Sequence, residues 1–192
     1  MFTEKLSRLF TGGAIAALIV VGSTAALAQT TPPADTLAVN YFSNANTGAP
    51  DATVQIDNPG TSGGSLCAMI YVYAPDQQLT ECCGCNITEN GLLTLSVNGD
   101  LTHDPLTGVL LNSGTIKIVS SSGAPTCDPR KPTPTPALRE WGTHILNSGA
   151  ITETEFLTAT LSSADLTKAT NLCKSIIGNG SGSGICTCGV GD

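Results

Sequence analysis

Eight cysteines constrain the fold of this chain more than any other feature, because all of them follow an N-terminal segment typical of exported proteins. An even number of cysteines behind such a segment predicts disulfides formed in an oxidising compartment. Eight cysteines can pair in many ways, and the sequence alone does not choose among them. The residues that we expect to be disulfide-bonded are Cys67, Cys82, Cys83, Cys85, Cys127, Cys173, Cys186 and Cys188.

The N-terminal segment has the three parts of a secretory signal peptide. A positively charged start precedes an apolar run over residues 12–21, and small residues then lead to Ala28 before Gln29. This order predicts a signal peptide over residues 1–28, cleaved between Ala28 and Gln29. The alternative is a membrane anchor, but the apolar run is too short for roughly 30 Å of hydrocarbon. We therefore expect a secreted protein (extracellular, periplasmic or at the cell surface) with no membrane span after cleavage.

The charge balance argues against a nucleic-acid partner. The chain has 8 Lys+Arg against 15 Asp+Glu, a net charge of -7. Nucleic-acid binding needs clustered Lys and Arg that displace counterions from phosphates. We therefore expect the protein to bind no nucleic acid.

Short alternating segments, separated by turn residues, predict an antiparallel sandwich. Residues 67–74 are apolar on both faces, as expected of a central strand. We predict a mostly β fold, an antiparallel immunoglobulin-like β-sandwich over residues 37–192, stabilised by disulfides and preceded by a flexible leader over residues 29–36. The other segments that we expect to form strands are 37–42, 54–56, 93–97, 114–120, 141–146 and 152–161.

Three segments depart from the strand pattern. Residues 81–85 are expected to form a loop. The proline-rich residues 125–136 are expected to form a surface excursion that is held by Cys127 and cannot join a central strand. Residues 162–177 carry an apolar stripe at helical spacing behind a capping serine, which predicts one C-terminal α-helix. Gly178 suits the left-handed position just past the end of that helix.

The clustered cysteines have a second interpretation. The segments 82–85 and 186–188 are dense enough to suggest a metal or thiol site, and the first formally matches C-x-x-C. Adjacent cysteines fit zinc knuckles poorly, and no βαβ context supports a redox dithiol. We expect structural bridges and no bound metal, with Cys173 within reach of Cys186 or Cys188 across the Gly/Ser-rich segment.

No catalytic constellation stands out. The two histidines, His103 and His144, are isolated, and the chain has no G-x-S-x-G motif. Glu153 and Glu155 lie two apart on an expected strand, hence on one face, which suits a glycosidase pair but is more typical of a solvated face. We expect no enzymatic activity and no cofactor.

The first expected strand permits an assembly hypothesis. Leu37, Val39 and Tyr41 alternate behind the leader, so this strand could add to the sheet of a neighbouring copy. The simpler alternative is pairing within its own sandwich.

Three segments resemble sequences shared by uncharacterised secreted bacterial proteins that have a Cys-Cys-Gly-Cys segment. They are residues 66–85 (LCAMIYVYAPDQQLTECCGC), 139–144 (REWGTH) and 185–189 (ICTCG). The resemblance covers most of the mature chain and implies bacterial export. No activity is assigned to that group, so no catalytic residue is implied.

These observations together predict a secreted, non-enzymatic structural, adhesion or interaction module of the cell exterior or envelope. One alternative is an extracellular module that binds a glycan or a small ligand. The other is an exported metal or thiol protein that uses its cysteine clusters. The protein or glycan partner is not specified by the sequence.

Overall fold

The computed structural model describes residues 36–146 and 148–189. The predicted signal peptide, its cleavage site and the leader up to residue 35 lie outside the described residues. The described chain forms ten strands, a π-helical turn (Val97–Leu101) and one helix, α1 (Ser163–Gly178). The strands are β1 (Leu37–Ser43), β2 (Ala52–Asp57), β3 (Leu66–Tyr73), β4 (Leu79–Ile87), β5 (Leu92–Ser96), β6 (Ser113–Ser122), β7 (Thr133–Pro134), β8 (Arg139–Ile145), β9 (Ile151–Glu155) and β10 (Leu157–Ala159).

The strands form two antiparallel sheets, which confirms the mostly β prediction. The first sheet has the order β10-β1-β6-β3-β4, and the short β7 pairs with β6 beside this path. The second sheet has the order β5-β2-β8-β9. The described chain therefore has sheet edges at β4 and β5 and at β10 and β9.

The first sheet is the middle of three layers. One of its faces packs on the second sheet, where Ile70 and Ile118 share a buried cluster with Ile56. Its other face packs on α1, where Met69 shares a second cluster with Cys173. This arrangement explains why β3 is apolar on both faces, since a strand buried on both sides has no solvent face to make polar.

Residues 81–85 are the middle of β4, so the expectation of a loop was wrong. Successive residues of a strand point to opposite faces, and the cysteines here do so. Cys82 joins the cluster under α1, whereas Cys83 and Cys85 join the cluster between the sheets. Gly84 is needed because an added Cβ would overlap the backbone carbonyl of Cys127.

Residues 152–161 form two strands in different sheets, where one strand was expected. The chain turns at Phe156, which is buried in the core between the sheets. The Phe156 N–H donates to the Glu140 carbonyl at 3.0 Å, and β10 then pairs with β1. The chain therefore passes from the second sheet to the first at a residue whose aromatic side chain is buried between them.

The proline-rich segment is held by Cys127, as predicted, through a disulfide to Cys67. It forms no central strand, as expected: Thr133 and Pro134 pair only with the end of β6 among the described residues. Proline lacks only its own N–H, and the N–H of the following Thr135 donates to β6 at 2.9 Å.

The C-terminal helix confirms the prediction with a shift of one residue. Ser162 caps it, since its hydroxyl accepts the Asp165 N–H at 3.0 Å. Gly178 is the last helical residue and does not take the left-handed conformation that we expected; Gly180 has a φ of 73° instead. No helix among the described residues is long and apolar enough to cross a membrane.

The strand proposed for assembly lies inside its own sheet. It pairs with β6 over Leu37–Ser43 and with β10 over Leu37, Ala38 and Val39. Addition of β1 to a neighbouring copy would therefore require it first to leave two strands of its own chain.

Candidate functional site

All eight cysteines are disulfide-bonded. The helix cysteine Cys173 pairs with Cys82, so the expected reach to Cys186 or Cys188 was wrong. The cause is the location of residues 82–85 on a strand, which turns Cys82 towards α1 and its neighbours away from it. The bridges are Cys67–Cys127, Cys82–Cys173, Cys83–Cys186 and Cys85–Cys188.

Two of these bridges form a ladder between β4 and the C-terminal tail, residues 184–189. Cys83–Cys186 and Cys85–Cys188 both span 103 residues, so the tail runs parallel to β4. The Cys82 N–H donates to the Gly184 carbonyl at 2.9 Å, which places the tail along the edge of the first sheet.

The same tail also reaches the second sheet. The Thr187 N–H donates to the Asp100 carbonyl at 2.9 Å, and the Thr187 hydroxyl donates to the Asp100 carboxylate at 3.1 Å. Asp100 lies in the π-helical turn that follows β5. We call β4, β5 and the tail the capped edge, because the tail bridges both sheets there.

A buried acid lies under this cap. The Glu81 side chain is only 1% exposed, and neither of its carboxylate oxygens has a hydrogen-bond partner within the described residues. Burial raises the pKa of the Glu81 carboxyl to about 8. The nearby Asp104 backbone N–H opposes this rise without reaching hydrogen-bond geometry, and the Asp104 charge adds to the rise. The carboxyl is therefore mostly protonated at pH 7. No local sequence pattern indicates that residue 81 is buried.

The opposite edge is built differently. β9 pairs only with β8, and β10 only with β1, among the described residues. Every residue of both strands is exposed, including Ile151 at 65% and Leu157 at 76%. We call β9 and β10 the open edge.

Glu153 and Glu155 lie on this open edge, on one face as the sequence predicted. In the β8–β9 register, Glu155 is opposite Trp141 and Glu153 is opposite Thr143. Both residues are exposed, so the site lacks the apolar enclosure that is typical of a glycosidase acid. The pair belongs to a solvated surface.

The same residues line a recess on the outer face of the second sheet. Its volume is about 350 Å³, and its lining includes Arg139, Trp141, Glu153 and Glu155. Trp141, the only tryptophan of the chain, is half-buried there. A half-exposed indole beside carboxylates and a guanidinium can stack on a ligand and hydrogen-bond to its rim.

The histidines lie in different settings. His103 is exposed after the π-helical turn, whereas His144 lies on β8. His144 lines a cavity of about 10 Å³, which holds at most about one water molecule. Across the parts of the chain that the structure describes, no group of three His, Cys, Asp or Glu side chains is placed to hold a metal ion.

No protein-family model matches the chain, and no curated protein matches it either. Among solved structures, it is similar to a crystal structure of Thermotoga maritima 1070, at 12% sequence identity and a TM-score of 0.44. The match covers 67% of this chain and 97% of that chain. A likeness this distant supports neither a fold assignment nor a function.

Proposed function

We propose that this protein is a secreted, non-enzymatic structural, adhesion or interaction module of the cell exterior or envelope, and that it contacts its partner through the open edge. The observation that carries the proposal is the inequality of the two edges. One edge is closed by a tail held with two disulfides, whereas the other exposes both strands along their whole length. Proteins ordinarily blunt or cover such edges, because unpaired strands bind other strands.

A pair of exposed leucines provides the test. Leu157 lies on the open edge and is 76% exposed, and Leu92 lies at the capped edge, on β5, and is 58% exposed. A photo-crosslinking amino acid placed at either position, in the cell that makes the protein, should give a discrete adduct from position 157 and none from position 92. An adduct from position 92 alone, or from neither position, would contradict the proposal.

Export is part of the proposal. Four disulfides are typical of an oxidising compartment, and the N-terminal pattern and the resemblance to secreted bacterial proteins agree with export. The intact mass of the exported protein should begin at Gln29. A mass that retains residues 1–28 would contradict cleavage after Ala28.

A glycan- or small-ligand-binding module is the second candidate, and the recess at Trp141 favours it. Sugar rings present C–H faces that pack on an indole, and their hydroxyls donate to carboxylates such as Glu153 and Glu155. A glycan array should then show binding that Trp141→Ala removes and Trp141→Phe retains in part. Equal binding by both variants would place the ligand elsewhere.

The third candidate, a metal or thiol protein, requires reduction of the bridges first, since thiolates are the metal ligands and nucleophiles. Alkylation of the exported protein without reduction should add no label to any cysteine. Several labels, especially labels that appear only after a chelator is added, would support the metal or thiol candidate instead.

Two finer assignments also belong to the proposal. Face-to-face packing of two antiparallel sheets supports an immunoglobulin-like sandwich as the class of this fold. Self-association through Leu37, Val39 and Tyr41 would take the form of strand exchange between copies, because β1 is already paired on both sides. Sedimentation of the oxidised protein at high concentration should show a dimer if strand exchange occurs.

A further inference from the structure

The hydrogen bonds of the β8–β9 hairpin determine which backbone groups of β9 are free. The Leu146 N–H donates to the Ala150 carbonyl at 2.8 Å, and the Phe156 N–H donates to the Glu140 carbonyl at 3.0 Å. In an antiparallel pair, hydrogen-bonded positions alternate with positions that point away. Thr152 and Thr154 therefore bond to β8.

The remaining residues of β9 point their backbone groups outwards. Ile151, Glu153 and Glu155 direct their N–H and C=O groups to the open side, where no strand of the described chain lies. Five residues is an ordinary strand length, so β9 offers a complete docking strand rather than a frayed end.

The side chains of the same residues set the chemistry of a docking strand. Ile151, Glu153 and Glu155 share one face of the second sheet, with Trp141 directly across from Glu155. A strand that adds to β9 places its alternate side chains opposite these three, and opposite charges there are stabilising.

A second copy of this chain does not fit that surface. Antiparallel pairing of β9 with β9 over all five residues sets Glu153 against Glu153, and like charges directly opposite are destabilising. The predicted leader over residues 29–36 (QTTPPADT) does not fit either, since it has no Lys or Arg and contains two prolines.

We propose that β9 is the acceptor for an extended segment of another protein, which adds antiparallel to it as a fifth strand of the second sheet. The segment carries Lys or Arg at two alternate positions, followed two residues later by an apolar residue. The basic side chains lie opposite Glu155 and Glu153, and the apolar one lies opposite Ile151. This inference rests on the proposed function and names the partner chemistry of the same open edge.

A peptide with the core Lys-Thr-Arg-Thr-Val, blocked at both ends, tests the inference on the oxidised mature protein. Calorimetry should show binding about tenfold or more tighter than that of the matched Glu-Thr-Glu-Thr-Val peptide. The double variant Glu153→Lys with Glu155→Lys should reverse this preference. Equal affinity for the two peptides would overturn the charge pattern.

Methylated peptide amides separate strand addition from attraction between charges alone. Methyl groups on the amide nitrogens of the first, third and fifth core residues block the bonds to β9, and binding should be lost. Methyl groups on the second and fourth amides face away from β9, and binding should persist. Equal effects of the two methylation patterns would overturn strand addition.

The peptide experiments and the crosslinking experiment at position 157 can fail independently of each other. If the peptides fail while position 157 still gives a discrete adduct in cells, the module binds at the open edge by another mode and the β9 inference falls. If position 157 gives no adduct, the proposed function falls regardless of peptide affinity.

Discussion

The two edges of this two-sheet fold differ in how the unpaired backbone groups of their outer strands are protected. At the capped edge, the tail covers β4, bonds to the turn after β5 and is held by two disulfides. At the open edge, no described strand pairs on the outer side of β9 or β10, and β9 carries the charges of Glu153 and Glu155. Disulfides hold the tail in place in an oxidising environment, whereas the carboxylates of an exposed edge repel only strands that are also negatively charged. This difference is the reason for proposing that a partner binds at the open edge.

The largest expected effect concerns the disulfide ladder. Replacing all four ladder cysteines by alanine should lower the free energy of unfolding by about 5 kcal/mol, and removing either bridge alone by about 2 kcal/mol. Each single loss is smaller because the other bridge still holds the tail to β4. Urea unfolding of the three variants measures these values. If the variant without both bridges loses no more free energy of unfolding than a variant without one, the tail does not stabilise the capped edge.

The buried acid under the cap should make stability depend on pH. The pKa of Glu81 is about 8 in the folded chain against an ordinary 4.5, so the folded state binds its proton more tightly than the unfolded state. The resulting stability is complete below pH 4.5 and is lost as the pH rises through about 8. Between pH 4.5 and about pH 8, the free energy of unfolding from urea titrations should change by a few kcal/mol less in Glu81→Gln than in the unaltered protein. The exposed control Glu153→Gln should leave the dependence intact, and identical curves for both variants would contradict the assignment.

A smaller effect is expected where the proline-rich segment crosses β4. Gly84→Ala should destabilise the fold by about 1 to 3 kcal/mol, because the new methyl overlaps the Cys127 backbone. The control is Gly178→Ala, whose methyl meets nothing within 4 Å and lies in a helix. Thermal unfolding should show a lower Tm only for the first variant. Equal Tm values would mean that Cys127 does not lie against β4.

The smallest effect is expected on the open edge itself. Leu157→Ala should change stability by less than about 0.5 kcal/mol, since the side chain is exposed. The buried Leu95 of β5 provides the comparison, and Leu95→Ala should cost about 2 to 5 kcal/mol. Urea unfolding of the two variants checks this contrast. A large loss from Leu157→Ala would mean that the open edge is buried in the folded protein.

Local patterns in the sequence predicted most helices and strands but not which of them pack or pair with each other. The apolar run of β3, the alternation of β5 and the capping serine of α1 each carry their own signal. The cysteines of residues 81–85 hide the strand pattern of β4. If Cys83 and Cys85 are counted as apolar, they alternate with Gly84 and Asn86 up to Ile87, and all three lie in the cluster between the sheets.

The pairings and the edges could not be predicted in the same way. The partner of Cys82 depends on which face of β4 packs on α1, and that is set by contacts between distant segments. The exposed position of β9 likewise depends on β8 pairing with β2 on its other side. The alternation of residues 151–155 indicates a strand, but only the sheet order shows that the strand lies at an edge.

Residue-resolved amide exchange of the free, oxidised protein tests the contrast between the edges most directly. We predict fast exchange at Ile151, Glu153 and Glu155, and slow exchange at Thr152 and Thr154 between them. On the capped edge, the Cys82 amide should exchange slowly, because it donates to Gly184. Protection of the three outward amides of β9, or exchange at Cys82 as fast as at Glu153, would contradict the account.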